Sequence, residues 1–312
     1  MKTQVCHYTL SAEDAELRID LVLYKAFPER SRTYFQYLLE KGNITFKGQP
    51  LKKRHKLTEG DCLDIYFEEK HPIDTSGENI PLDVLFEDED FIVINKSKNC
   101  VVHPAPGHPS HTLVNALVYH FQELENQQEI RFGLVHRLDK DTSGVMVVAK
   151  HEKAHSALSE AFKSRLVKKH YLALCVGNPG QKVIKNHLGR DLKDRKKFAI
   201  CQTGKEAISS IETLAFNKGY SLVKVAPETG RTHQIRLHMQ STGCFIVGDP
   251  LYGSAKVNKD LDLCEQMLHA YSLCFTHPFT QEKLAFVAPL RDDMKALILS
   301  LIPEAKAFEE LQ

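Results

Sequence analysis

Long apolar runs are missing from this 312-residue chain. No stretch reaches eighteen uninterrupted apolar residues, and the opening MKTQVCHYTL lacks the apolar centre of a secretory signal. A soluble, cytoplasmic protein with no membrane attachment is therefore expected. Cysteines at metal-binding spacing are missing too. The eight cysteines, at positions 6, 62, 100, 175, 201, 244, 264 and 274, include no C-x-x-C pair, so the usual frame for a zinc site is gone. Free thiols in a reducing compartment are the expectation. Neither G-x-G-x-x-G nor a P-loop occurs, which removes the signatures of dinucleotide and nucleoside triphosphate binding.

Net charge is also nearly absent, at +1, but its distribution is uneven. Leu17 to Phe67 holds ten Lys/Arg against six Asp/Glu, and Lys182 to Lys205 holds eight against two. Between them, Glu68 to Asp90 carries nine acids and one lysine. Basic patches of this kind suit either a solvated surface or a polyanion. Apolar residues at 42% and charged residues at 26% allow a sizeable core. Sixteen histidines are present, with His103, His108 and His111 gathered in HPAPGHPSH. Its prolines and glycine point to an ordered loop, and no metal site is expected there.

The chain reads as two units. In residues 13–67, a helix is expected from Asp14 to Phe27 and a second after Ser31, with Tyr34, Phe35, Leu38 and Leu39 on its apolar face and Gly42 ending it. Short strands follow at Ile44–Phe46 and around Leu63, Ile65 and Phe67. Residues 68–80 read as an acidic linker. Across 81–302, strands are expected at Phe91–Asn95, Gly144–Ala149, His170–Val176, Ser221–Ala226, Tyr271–Thr276 and Leu284–Val287. Helices are expected at Thr112–Glu123, Lys153–Lys168, Thr232–Gln240 and Asp292–Leu301. Ala154, Ala157, Leu158, Ala161, Phe162 and Leu166 share one face of the second of these. Strands and helices do not alternate strictly, so the fold class is α+β with a mixed, mainly antiparallel sheet.

Three segments carry unusual chemistry. HRLDKDTSG, residues 136–144, sets Arg137, Asp139, Lys140 and Asp141 between apolar stretches, where a charge needs a partner or a task. YLAL begins at Tyr171. TGRTHQIRLH, residues 229–238, joins a turn at Gly230 to a helix that Thr232 can cap. From the residues alone, Asp139 is either a turn carboxylate accepting the Thr142 and Ser143 amides or a reactive group. Arg231 is either an ion pair at a helix start or part of a site, and Tyr171 either an ordinary strand aromatic or a functional one.

These segments, in this order, resemble the three motifs of the RluA family of RNA pseudouridine synthases. VVHP at 101–104, TLVNAL at 112–117, GDPLYG at 248–253, LHA at 268–270 and FVAPL at 286–290 extend the likeness. RIDLVL at 18–23, SR at 31–32 and EGD at 59–61 resemble the S4 RNA-binding domain, an arrangement similar to the large-subunit enzymes of the RluC and RluD type. One departure is Lys96-Ser97-Lys98-Asn99, where the family often has K-P-x-G. Asn99 tolerates the left-handed conformation that glycine would take.

The resemblance implies an S4-like α/β domain before a pseudouridine synthase domain, and an isomerase of uridines in large-subunit ribosomal RNA or its precursor particle. It implies no cofactor, metal or nucleotide. Asp139 becomes the catalytic carboxylate, with Arg231 holding it ionised. Tyr171 becomes the base platform, with Ile235 on the opposite face, and Arg137 fills the gap left by an extruded base. Arg18, Arg32, Lys52, Lys53 and Arg54 become RNA contacts, mostly to phosphate. A monomer is expected. The alternatives are a catalytically idle rRNA-binding assembly factor and a glycosidic hydrolase.

Overall fold

The apolar run after HRLDKDTSG becomes a strand, Ser143–Ala149, buried at every position. It lies inside a broad sheet and places the charged loop at the sheet's end. A computed structural model of the chain describes residues 4–14, 17–28, 30, 32–52, 55, 57–67, 76–104, 108–121, 133–191, 194 and 197–308. Two units result, Met1–Pro72 and Ile73–Gln312.

The first unit contains β1 (Gln4–Thr9), α1 (Ile19–Ala26), α2 (Arg32–Lys41), β2 (Ile44–Phe46), β3 (Gln49–Pro50) and β4 (Cys62–Phe67). Its sheet runs β1-β4-β2-β3, antiparallel throughout. Val22, Leu23, Phe35 and Leu38 from the helices share a core with Ile44, Leu63 and Ile65 from the strands.

The second unit contains β5 (Val84–Glu87), β6 (Phe91–Lys96), α3 (Leu113–His120), β7 (Ser143–Ala149), α4 (Glu152–Lys163), β8 (Lys168–Val176), β9 (Lys182–Arg190), β10 (Phe198–Ile200), β11 (Lys205–Asn217) and β12 (Tyr220–Pro227). It continues with α5 (Gln234–Ser241), β13 (Phe245–Ile246), α6 (Ala255–Asp260), β14 (Leu268–Thr276), β15 (Lys283–Val287) and α7 (Asp292–Leu301). The sheet order is β10-β9-β11-β12-β8-β14-β7-β6-β5, with β13 added on β8 and β15 on β14. Among the described residues only β14 and β7 pair in parallel, so the sheet is mixed and mainly antiparallel as expected.

Strand β8 shows how both faces are covered. Leu172 and Leu174 join the cluster of Met294 and Ile298 from α7. Ala173 and Cys175 join that of Ile235 and Met239 from α5. Period-two alternation thus binds one helix to each face.

Several expected boundaries move for physical reasons. The helix expected from Asp14 starts at Ile19. Asp14 instead closes a turn, its Oδ2 accepting from Ser11 N, Ser11 Oγ and the Tyr8 hydroxyl. The helix expected to run to Lys168 ends at Lys163, because Arg165 turns left-handed at φ 59°. Leu166, expected on its apolar face, is 70% exposed. Helix α3 ends at His120, and Gln122 and Glu123 lie outside the described residues. So does Ser31, the expected cap of α2. Strands β1, β3, β5, β9, β10, β11 and β13 and helix α6 were not expected. In β9 only Ile184 and Leu188 are buried among lysines and polar residues, so its apolar alternation is diluted.

Gly144 opens β7 at φ +114°, and a Cβ there would meet the Ala270 carbonyl oxygen at 2.2 Å. That contact lies at the parallel junction where Gly144 is registered with Ala270. Gly144→Ala is therefore expected to lower stability by roughly 2 kcal/mol or more through strain and backbone displacement. Thermal unfolding of the full chain checks it; an unchanged melting temperature would contradict the close approach.

Candidate active site

The HRLD loop is pinned from behind, and this leaves one carboxylate facing outward. Leu138 is buried in the β6–β7 core. Lys96, at the end of β6, is almost wholly buried and donates to the main-chain oxygens of Ser97, Cys100 and Lys140 at 2.8, 3.0 and 3.0 Å. Burial pulls its ammonium down to about 8, against the attraction of Cys100, Asp141 and Asp139. Gln266 Nε2 donates to Thr142 Oγ1, and Ser143 Oγ meets His269 Nδ1 at 2.8 Å. The turn before VVHP lacks K-P-x-G, and Asn99 there is left-handed at φ 60°.

Asp139 is not a simple turn residue. The Thr142 amide donates to its main-chain oxygen, 3.1 Å away, rather than to its carboxylate. The carboxylate Oδ2 accepts from Arg236 Nη1 at 3.0 Å. Arg236 spends its other nitrogens on Asp249, Nε to Oδ2 at 2.7 Å and Nη2 to Oδ1 at 2.9 Å. Side-chain exposure falls along this chain from 18% at Asp139 to 5% at Arg236 and 1% at Asp249. Two-point contact with Asp249 fixes the guanidinium plane, so its remaining nitrogen has one direction in which to point. Burial alone would lower the Arg236 pKa, but Asp249 and then Asp139 raise it above its ordinary value. Asp249 is in turn held by the amides of Leu251 and Tyr252. Burial opposes its ionisation, and Arg236 with these amides keeps it below the usual range.

Helix α5 supplies Arg236 through a loop braced by its own first residue. Gln234 Oε1 accepts from Arg231 N and Thr229 Oγ1, and Nε2 donates to Ile208 O and Ser209 Oγ. The helix was expected to start at Thr232 with that residue as its cap. Instead the N-cap is His233, left-handed at φ 56°. His233 Nδ1 lies 2.8 Å from the Tyr252 hydroxyl, and its Nε2 lies 3.9 Å from Asp139 Oδ2. Burial keeps the imidazole below its ordinary pKa against the pull of Asp139.

These groups border a cleft of ≈ 740 Å³. Arg137, Asp139, Tyr171, Arg231, Ile235 and Arg236 all line it, so the expected catalytic-domain residues converge. Arg137 is exposed at the lip and Ile235 is buried in the wall. Burial, followed by the charge of Asp139, raises the Tyr171 phenol well above its usual range, so it stays a neutral hydroxyl. The expected Asp139–Arg231 pair does not form. Arg231 precedes the helix, and its Nε donates to Glu206 O at 3.0 Å. Arg236, five residues further along, makes the contact with Asp139 instead.

In the first unit, Arg18 and Arg32 each place Nε 2.9 Å from the buried carboxylate of Asp20. Burial opposes ionisation of Asp20, yet Gln36, Arg18 and Arg32 hold its pKa down to about 2. Lys52 is exposed, and Lys53 and Arg54 lie outside the described residues. Among the described residues, one set of side chains is close enough to hold a metal ion: Asp88, Asp90 and His277, not His103, His108 and His111. His277 Nδ1 accepts from the amides of Phe279 and Thr280, which leaves the proton on Nε2, facing Asp88 at 3.1 Å. That is a hydrogen-bonded tie at the β5–β6 turn.

Comparison with known proteins identifies the motifs. Residues 90–241 match the family model described as RNA pseudouridylate synthase. The uncharacterized RNA pseudouridine synthase YlyB of Bacillus subtilis is 39% identical over 296 residues, covering 94% of this chain and 97% of its own. Ribosomal large subunit pseudouridine synthase D of Vibrio vulnificus is 35% identical over 318 residues, covering 97% of each. The structure of human RNA pseudouridylate synthase domain containing 1 superposes with a TM-score of 0.56 at 26% identity, covering 74% of this chain and 97% of its own.

Two buried histidines, His238 on α5 and His269 on β14, set the expected acid response. His238 and His269 are fully buried, and burial lowers each to about 4. Neither ring nitrogen of His238 has a hydrogen-bond partner. The unfolded chain binds protons at these rings below a pH of about 6.5, and the folded chain does so only below about 4. Stability is therefore expected to fall as pH drops through that window, by on the order of 1 kcal/mol per pH unit for each histidine. Urea unfolding at pH 7.5 and pH 5 measures it, and equal free energies would contradict the neutral buried rings.

Proposed function

Because the chain belongs to the RluA family of RNA pseudouridine synthases, we propose that it isomerises specific uridines of large-subunit ribosomal RNA, with Asp139 as the catalytic carboxylate. One observation carries this reading. The carboxylate of Asp139 reaches the cleft beside Tyr171 while Arg236 grips it from behind.

The isomerisation breaks the N1–C1′ bond and joins C5 to C1′. The C5 proton goes to solvent and N1 gains one. No electron or phosphoryl group moves, so the chemistry calls for no nicotinamide, phosphate donor or metal. It calls for an ionised carboxylate beside C1′ and C6, as nucleophile or as a stabiliser of positive charge on the sugar. Arg236 favours the ionised form and aims it. Tyr171, a neutral aromatic on β8, offers the uracil a flat surface, with Ile235 opposite. Arg137 at the lip fills the stack from which the nucleotide is drawn, offsetting an extrusion cost of a few kcal/mol. Arg231, tied to Glu206 O, contacts the RNA at the rim.

The first unit acts as an S4-like RNA-binding domain, the expected span 13–67 joined by β1 (Gln4–Thr9), which pairs with β4. The expected linker, 68–80, lies largely outside the described residues, and 81–302 is the catalytic domain. Arg18 and Arg32 keep about half of their side chains exposed while anchored on Asp20, and these two with Lys52, Lys53 and Arg54 are the contacts to phosphate. The protein acts as a monomer in the cytoplasm on ribosomal RNA or its precursor particle. The relative named for the large subunit supports this partner.

Large-subunit rRNA tritiated at uracil C5 tests the reading. Wild type is expected to release tritium to water with no free uracil, and Asp139→Asn to release none. Arg236→Lys is expected to retain the fold and lose about 100-fold or more in kcat, since an ammonium cannot bridge both carboxylates in this geometry. Free uracil would mean a hydrolase. Silence from folded wild type on every large-subunit transcript would mean an idle RNA-binding protein.

A further inference from the structure

The cleft holds several cations, and all but one are compensated or solvated. Arg236 faces two carboxylates. Arg165 lies 3.6 Å from Glu206 and 3.8 Å from Glu228, and Lys163 lies 3.3 Å from Glu160. Arg137 is exposed.

Lys169 differs from these. It stands on β8 two residues before Tyr171, so period-two alternation sends both side chains to the cleft face, and both line the cleft. Its ammonium lies 5.8 Å from the ring centre of Phe162, which stacks on His136 at 4.6 Å and 19°. No carboxylate lies within ion-pair distance of it among the described residues. Burial lowers its pKa, with no charge partner to restore it. The same ammonium helps push the half-buried His136 down to about 3, after burial itself. His136 therefore stays neutral, its Nε2 accepting from the Val147 amide at 3.1 Å.

A half-buried ammonium on an aromatic face with no counter-charge is unfavourable in the empty protein. Such a group fits a site completed by an anionic ligand. We propose that Lys169, seated on Phe162, is the phosphate subsite of the cleft, binding a phosphodiester of the nucleotide whose uracil meets Tyr171. This rests on the RNA-modifying reading above. The distance along β8 from residue 169 to residue 171, about 7 Å, is comparable to the span from a nucleotide's phosphate to its base. One strand thus presents a charge for the phosphate and a ring for the base. Binding there carries the sugar toward Asp139.

The test uses the full chain and tritiated large-subunit rRNA transcript. Lys169→Met is expected to raise KM about tenfold, with kcat within about twofold. It is expected to flatten the dependence of log KM on log salt by about one phosphate contact. Lys169→Arg is expected to restore most of the affinity. Because the substitution removes an unpaired charge, the melting temperature of Lys169→Met is expected to hold or rise. Wild-type KM and salt slope in Lys169→Met would overturn the proposal. A lowered melting temperature with an unchanged salt slope would also overturn it, making Lys169 a structural cation on Phe162. If wild type releases no tritium, the isomerase reading fails alone. Filter binding of the same transcript to wild type and Lys169→Met still reads the affinity difference and its salt slope.

Discussion

A buried guanidinium shared by two carboxylates organises the site. Arg236 is anchored by Asp249 in a two-point contact and gives its last nitrogen to Asp139. Taking one cation and two anions out of water is costly unless every lone pair and proton is placed. Here Asp249 takes the Leu251 and Tyr252 amides, and its own main-chain oxygen accepts from Asn258. Of the two carboxylates, only Asp139 lines the cleft. The surrounding structure serves that asymmetry: the inner carboxylate is fully satisfied, and the outer one has capacity left for a substrate.

The sheet makes the arrangement possible by bringing distant segments together on its central strands. Parallel pairing of β14 with β7 begins at Ser143, where the HRLD loop ends. Antiparallel pairing of β8 with both β14 and β12 sets Tyr171 between them. Helix α5, packed on β8 through Ile235 and Met239, delivers Arg236 from the same face. Lys96, Gln266 and His269 hold the loop from below with polar contacts that are buried and specific. A packed core alone would leave the loop free to shift by the fraction of an ångström that matters to catalysis.

Much of this was legible in the residues. Asp139 stood out because a charged loop between apolar strands needs an explanation, and β7, β8, β12 and α7 followed from apolar runs and periodicity. The identity of the partner arginine was not legible from TGRTHQIRLH. Whether Arg231 or Arg236 turns toward Asp139 depends on where α5 begins, and the left-handed His233 delays that start by two residues from the position expected at Thr232. A signal for Arg236 was nonetheless present. It lies between Ile235 and Leu237 in a helix buried on nearly every side, and an arginine there requires an acid, which GDPLYG provides as Asp249. Strands β9 and β11 were hidden because their inward residues alternate with lysines, polar groups and glutamates. The expected RNA contacts Arg18 and Arg32 proved to share a buried acid, a pairing that only the packing of α1 on α2 creates.

The central claim is that Asp249 acts on the Asp139 carboxylate through Arg236 and by no other route. A double-mutant cycle on kcat measures this most directly, using Arg236→Met, Asp249→Asn and the two combined, each confirmed folded. The account predicts strong non-additivity, with the double variant scarcely slower than Arg236→Met. Additive losses would show that the two residues act independently and would contradict it.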